Sequence, residues 1–338
     1  MKRVNVAVIG CGFIAETTHI PNLFTIPEAK LTTICDVDQK KLNIIGDKFN
    51  VKDRCTDFRE VVKKKDIDAV VICTPTPTHA EIALAAAEAE KHIFVEKPMS
   101  TSSSLDDVII KSAEKHGVKL MVGYQMRFLP NHQKAKEIVR RGEIGDVLYA
   151  EAHSETLIIK PSDGILLDYS THFIDLLRWY FDNVRIKSIA ALLRSSENFS
   201  NETEATLILE FANGVIGRIG VFWLSKYQSW EAVDRYIKIL GKRGKVVTEQ
   251  SGPTITLYKE GSLLSRVMGP HKIMPRYALH PNVPLSDIAY RKELEHFISC
   301  IIKDESPFPS GYDDKIVLKV VEAAKESYKQ GTFVRVSD

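Results

Sequence analysis

The chain of 338 residues carries 46 Lys and Arg against 44 Asp and Glu, a net charge of +2, with 44% hydrophobic and 27% charged residues. A charge balance this close to neutral excludes the broad basic footprint of a nucleic-acid binder or of a protein drawn to anionic membranes, and the composition excludes a disordered chain. The length favours two domains, and five cysteines (Cys11, Cys35, Cys55, Cys73 and Cys300), odd in number and without a Cys-x-x-Cys pair, imply a reduced, cytoplasmic setting.

Residues 4 to 15 read as a short apolar strand running into Gly10-x-Gly12-x-x-Ala15, with Phe13 and Ile14 inside the loop. A second strand, Leu31 to Cys35, ends at Asp36, the spacing of a dinucleotide-binding fingerprint. Gly10 permits the turn, Gly12 lets backbone approach a pyrophosphate lying on the following helix's N-terminus, and Ala15 lets helix and strand pack closely. Asp36 is placed to accept from the ribose hydroxyls and to repel a 2'-phosphate, which favours NAD over NADP. Further strands are expected at Ala69 to Cys73, His92 to Val95 and Lys119 to Val122, separated by helical stretches, a pattern that makes a parallel sheet covered by helices. A helix over Ala80 to Glu90, with Thr78 as N-cap and Glu81 completing a capping box, opens at the carboxyl edge of the third strand. Ligands bind at that edge in open α/β sheets, so Thr74, Pro75 and His79 fall near the cofactor.

After residue 122 the pattern changes. A helix near Asn131 to Arg140, a strand at Val147 to Ser154 and an apolar helix over about Tyr169 to Phe181 lead into alternating runs at Ile186 to Arg194, Thr203 to Phe211, Val215 to Leu224, Arg235 to Leu240, Val246 to Glu249 and Thr254 to Lys259. Consecutive strands with short turns such as Ala212-Asn213-Gly214 imply an antiparallel sheet. Alternate positions of the 215–224 run leave apolar side chains on both faces, which calls for a second copy of the chain against the sheet of residues 186–260. Residues 261–284 read as a loop or flap, and helices at about Ser286 to Ile302 and Asp313 to Gln330 end the chain. The domains expected are 1–122 and 123–338.

Glu96-Lys97-Pro98 follows the fourth strand directly, which puts Lys97 at the edge that carries the glycine loop, with Lys97-Pro98 a candidate cis bond. A lysine there can stabilise negative charge developing on a substrate oxygen, or stand solvated in a proline turn. Asp168, His172 and Asp175 lie at i, i+4 and i+7 on an apolar helix. A histidine held by a carboxylate suits general acid/base chemistry, while a helix cap and a satisfied core histidine account for the same letters. Arg127, in Gly123-Tyr-Gln-Met-Arg-Phe128, either contacts a polyol or a phosphate or forms an interdomain ion pair. His153 and the other histidines show no metal-ligand spacing, so no metal is expected.

Together, Gly10-Cys-Gly-Phe-Ile-Ala15, Cys73-Thr-Pro-Thr-Pro-Thr-His79, Glu96-Lys-Pro98, Gly123-Tyr-Gln-Met-Arg-Phe128 and Asp168-x-x-x-His172-x-x-Asp175 resemble the glucose-fructose oxidoreductase / inositol dehydrogenase / rhizopine catabolism protein (Gfo/Idh/MocA) family over nearly the whole chain. The resemblance implies an α/β Rossmann domain, an α+β domain with an open, mainly antiparallel sheet, and homodimers or homotetramers built through that sheet. It implies catalytic roles for Lys97, Asp168 and His172. Cofactor binding falls to Gly10, Gly12, Phe13, Ile14, Asp36, Thr74, Pro75, His79, Glu96 and Lys97. Substrate binding falls to Lys97, Arg127, His153, Asp168 and His172. The implied reaction moves a hydride between NAD and a secondary hydroxyl of a sugar, cyclitol or sugar derivative, nucleotide sugars included. Relatives that only sense the dinucleotide, or that use it transiently to cleave glycosides, are the alternatives. One departure stands out: Gly164-Ile-Leu-Leu-Asp168 has one glycine where many relatives have two.

Overall fold

The computed structural model describes residues 3–156, 163–196, 199–223, 234–249, 254–259, 271–273 and 285–337. Packing divides the chain into two compact units, Met1–Gln125 with Ser286–Leu318, and Met126–Leu285 with Lys319–Asp338. The expected second domain, 123–338, is therefore not one stretch. Residues 286–318 join the first unit because their aromatic side chains pack there, Phe297 against Phe94 at 5.8 Å between ring centroids and Tyr290 against His19 at 5.7 Å.

The first unit is a six-stranded sheet of β1 (Val4–Ile9), β2 (Ala29–Cys35), β3 (Asp53–Cys55), β4 (Ala69–Ile72), β5 (His92–Glu96) and β6 (Leu120–Gly123), in the order β3-β2-β1-β4-β5-β6. Every neighbouring pair is parallel. Helices cover such a sheet, so β4 is buried along its length and reads as an unbroken Ala-Val-Val-Ile run. A π-helical turn, Ala15–His19, continues as α1 (Ile20–Thr25), and α2 (Gln39–Lys48), α3 (Phe58–Lys63), α4 (Thr76–Glu88) and α5 (Ser103–Lys115) follow. Side-chain oxygens cap several of them: Asp38 accepts from the amides of Lys40 and Lys41, and Ser102 from that of Leu105. The expected cap at Thr78 is not there. Helix α4 starts earlier, at Thr76 behind Pro75, and the Thr78 hydroxyl bonds back to Thr74 Oγ1 and the Pro75 carbonyl. Pro77, at the second helical position, is pre-set for the helix and has no N–H to satisfy in the first turn, so the start can lie upstream of Thr78.

The second unit holds α6 (Pro130–Arg140), α7 (Thr171–Tyr180) and a nine-stranded sheet. Its strands are β7 (Val147–Thr156), β8 (Ile186–Arg194), β9 (Glu204–Phe211), β10 (Ile216–Trp223), β11 (Arg235–Gly241), β12 (Gly244–Glu249), β13 (Ile255–Lys259), β14 (His271–Ile273) and β15 (Val334–Arg335). Their order is β14-β13-β12-β11-β7-β10-β9-β8-β15, with only β10 and β7 parallel among these neighbours. Strand β14 falls in the segment expected to be loop; three residues are too few to show a period. The rest of that segment, 261–270 and 274–284, lies outside the described residues. Helices α8 (Leu285–Lys303) and α9 (Gly311–Gln330) end the chain's helical content.

Register settles which sheet face meets the helices. Leu207, Ile219, Ala152, Ile237 and Thr248 are direct cross-strand partners, so they share a face. Thr248 Oγ1 lies 3.5 Å from His132 Nδ1 on α6, and the hydroxyl of Tyr180, the last residue of α7, hydrogen-bonds the same nitrogen at 2.7 Å. That row is therefore the helix side. On β10 the helix side takes Gly217, Ile219, Val221 and Trp223, all buried, and the outer side takes Ile216, Arg218, Gly220 and Phe222. The outer face is thus mixed rather than apolar, with Glu151 paired to Arg218 at 2.7 Å and to Lys238 at 3.0 Å. Leu224 lies outside the described residues.

Complete burial pushes the His132 imidazole down to about 3 and Tyr180 upward. Because the unfolded chain takes up a proton near pH 6.5 that the folded His132 refuses, this residue's contribution to stability is full above pH 6.5 and is lost as pH falls toward 3. The slope it adds is about 1.4 kcal/mol per pH unit. Urea unfolding measured from pH 7 down to about 4 should show that slope in the wild type and a shallower one in His132→Gln; equal slopes would remove His132 from the acid sensitivity.

Candidate active site

The glycine loop leaves β1 where the strand order reverses, so that successive crossovers run to opposite sides of β1 and β4. Gly10 has φ +94°, and a Cβ there would stand 2.7 Å from the carbonyl carbon and oxygen of Cys73. Both conditions require glycine. A Cβ on Gly12 would meet nothing within 4 Å, which leaves the space a pyrophosphate needs in front of the helical turn. Phe13 is exposed, Ile14 half-buried and Ala15 buried. Asp36 Oδ2 accepts the Cys11 amide at 2.7 Å and Oδ1 the Asp38 amide at 2.9 Å, so the carboxylate braces the loop as well as presenting charge at the end of β2. Cys11 lies inside this loop, yet burial, and then the Asp36 charge, push its thiol up to about 12, so it remains a neutral thiol. These residues fit a dinucleotide: open backbone before a helix start, and a carboxylate on the next strand.

Lys97 follows β5 and is buried, in a cis peptide with Pro98. Its neighbours on either side are held. Glu96 Oε1 bonds His19 Nε2 at 2.6 Å, and its other oxygen accepts the Lys97 amide at 3.2 Å. Asp314 of α9 accepts the Met99 amide at 2.8 Å and the Tyr124 hydroxyl. His79, expected near the cofactor, is buried, with Nδ1 2.9 Å from the Pro98 carbonyl oxygen and Nε2 2.7 Å from that of Thr74. Thr74 itself is half-buried and Pro75 exposed at the sheet edge.

In the second unit a π-helical turn, Leu166–Ser170, leads into α7, whose ten residues are all buried. Asp168 lies in that turn and His172 one turn further on, both buried, with the Tyr169 ring edge-on to His172 at 5.8 Å. Asp168 is not a helix cap, since neither turn start shows a side-chain cap. The stripe's third member is bound elsewhere: Arg127 grips Asp175 with two hydrogen bonds, Nε to Oδ2 at 2.8 Å and Nη2 to Oδ1. Both side chains are buried in the same unit. Arg127 thus anchors α7 by an ion pair that is not interdomain, and its fork is taken up by a carboxylate instead of standing open for a polyol. His153 also departs from expectation. It pairs in register with Gly220 and Tyr236, on the face opposite the Ala152 row and hence away from α7. Its ring stacks on Tyr236 at 5.2 Å and leans on Phe222 at 5.6 Å.

A family model described as an oxidoreductase family, NAD-binding Rossmann fold, matches residues 4–124, and one for the C-terminal alpha/beta domain of the same oxidoreductase family matches residues 136–336. The chain belongs to this Gfo/Idh/MocA oxidoreductase family. Its N-terminal domain is an NAD-binding Rossmann domain, and the protein is an NAD-linked oxidoreductase. Within the family it is 29% identical over 348 residues to myo-inositol 2-dehydrogenase of Thermotoga maritima, covering 99% of each chain. It is 29% identical over 347 residues to scyllo-inositol 2-dehydrogenase (NAD(+)) of Bacillus subtilis, covering 99% of this chain and 96% of the relative. Among solved structures, levoglucosan dehydrogenase in complex with NADH and L-sorbose superposes with a TM-score of 0.91 at 21% identity over 100% of both chains, a likeness of fold.

Sequence reasoning missed His19 and Asp314. A histidine in an apolar helical stretch between Thr18 and Ile20 was a signal; the tie from Asp314 to Met99 spans 215 residues and left none. Two outcomes follow from the geometry. Arg127→Ala, by stranding a buried carboxylate, should cost about 3–5 kcal/mol in urea unfolding, and Arg127→Met with Asp175→Leu should recover most of it; a raised KM at unchanged stability would instead make Arg127 a substrate contact. Titrated into the apo protein, NAD should bind at least about tenfold, or about 1.4 kcal/mol, more tightly than NADP. Asp36→Ala should narrow that gap and also lower Tm, because the Cys11 amide loses its acceptor.

Proposed function

We propose that the protein oxidises a secondary hydroxyl of a cyclitol or sugar, with Lys97, Asp168 and His172 as its catalytic residues. The observation that carries this reading is the full-length match to relatives named inositol 2-dehydrogenases, in Thermotoga maritima and, at 28% identity over 344 residues, Rhizobium meliloti, in a chain that holds all three side chains. The chemistry that NAD would supply when bound is acceptance of a hydride from the carbon bearing the hydroxyl. His172 takes the hydroxyl proton as general base, which leaves the carbon–oxygen double bond. Lys97 donates to the substrate oxygen and stabilises negative charge as the proton leaves. Asp168 positions these two groups. Gly10, Gly12, Phe13, Ile14, Asp36, Thr74 and Pro75 form the cofactor edge. A sensor has no need of an acid/base pair, which favours the enzyme.

The active species is a homo-oligomer in the cytoplasm, a setting that agrees with five buried free thiols. The outer face of the nine-stranded sheet leaves Leu192, Ile216 and Leu240 substantially exposed around the Glu151 ion pairs, apolar area of the kind that a second copy covers. Light scattering at micromolar concentration should give a mass above the 38.1 kDa of one chain; that mass itself would refute the assembly.

Reduction of NAD, followed by absorbance with myo-inositol, scyllo-inositol and levoglucosan, tests the activity. With the best of these substrates, Lys97→Met and His172→Ala should lower turnover at least about a hundredfold while NAD affinity changes only a few-fold. Asp168→Asn should fall between them and wild type. Full activity per folded molecule in both Lys97→Met and His172→Ala would remove the mechanism.

A further inference from the structure

We propose that His79 is a positioning residue held as a buried imidazolium, donating from both ring nitrogens to join the loop after β4 to the turn that carries Lys97. Its two nitrogens face the carbonyl oxygens of Pro98 at 2.9 Å and of Thr74 at 2.7 Å. A carbonyl oxygen only accepts. A neutral imidazole has one N–H and one lone pair, so in either tautomer one of these contacts would set a lone pair against a carbonyl oxygen at hydrogen-bond distance. Only the cation satisfies both, and it does so with charge-assisted bonds that offset part of the cost of taking the charge out of water. The ring is 1% exposed, so water is not positioned to replace either bond.

Several carboxylates on the surrounding elements have partners of their own. On α4, Glu81 pairs with Arg59 of α3; after β5, Glu96 holds His19; on α5, Asp106 accepts from Ser100; on α9, Asp314 holds Met99 and Tyr124. The two carbonyls joined by His79 are well placed to matter. The Thr74 amide is 2.8 Å from where a Cβ on Gly10 would stand, and Pro98 is the residue after Lys97. One ring therefore sets the spacing between the backbone under the cofactor loop and the turn of the lysine. Its effect on turnover rests on the role proposed for Lys97, whereas its protonation state does not.

Nitrogen-15 NMR of the labelled apo protein, one to two pH units above the ordinary histidine pKa of about 6.5, tests the state directly. The expected result is a ring with both nitrogens protonated, tied by a through-space cross-peak to Pro98 and lost in His79→Gln. A wild-type spectrum in which none of the ten histidines is doubly protonated would overturn the proposal whether or not the variant folds, as would a doubly protonated signal that persists in folded His79→Gln. With myo-inositol, His79→Gln, which keeps one donor, should lower turnover about tenfold, equivalent to about 1.4 kcal/mol, at a Tm close to wild type. Absence of polyol turnover in the wild type would count against the proposed function and leave the NMR result standing.

Discussion

The close approach of Gly10 to the backbone of Cys73 and Thr74 is the constraint on which the rest of the first unit's site depends. Parallel β1 and β4 bring the two loops together at the strand-order reversal, and a side chain on Gly10 would overlap the Cys73 carbonyl. With that contact made, the loop after β1 turns toward the helix start, Asp36 reaches back to the Cys11 amide, and α4 begins directly behind Thr74 and Pro75. Crossover geometry and one missing methyl thus place the cofactor edge, before any side chain chooses a ligand.

Buried polar groups then fix what stands on that edge. Around Lys97, Glu96 is engaged by His19, the Met99 amide by Asp314, and the Pro98 carbonyl by His79. Removing either partner of such a bond strands a polar group away from water, which is costly and makes the turn rigid. Helix α7 follows the same logic in the second unit, tied to the 127–132 segment at two points by Asp175 to Arg127 and Tyr180 to His132. Asp168 and His172 precede both ties, on the π-helical turn and first turn of the helix that these bonds hold.

Much of this was legible in the sequence because it rests on local pattern. Glycines at fixed offsets, β-branched runs and the period of two in Glu204–Phe211 gave the Rossmann domain, the open sheet and most strand bounds to within a residue or two. What failed was nonlocal or too short to carry a period. Strands of two or three residues such as β14 and β15 take their conformation from their neighbours. Ser286–Leu318 packs with the first unit through Tyr290 and Phe297, which no boundary signal marks. Arg127 and His153 carried letters suited to a substrate site, but partner and face are set by tertiary register, which turned one toward Asp175 and the other to the outer face.

The central claim, direct redox chemistry on a hydroxyl-bearing carbon, is tested most directly by isotope transfer. A cyclitol deuterated at the carbon to be oxidised, incubated with the enzyme and NAD, should deliver its deuterium to the nicotinamide ring of the reduced cofactor, with one equivalent of ketone formed for each cofactor reduced. Loss of the deuterium to solvent, or product formation with no net cofactor reduction, would contradict the account.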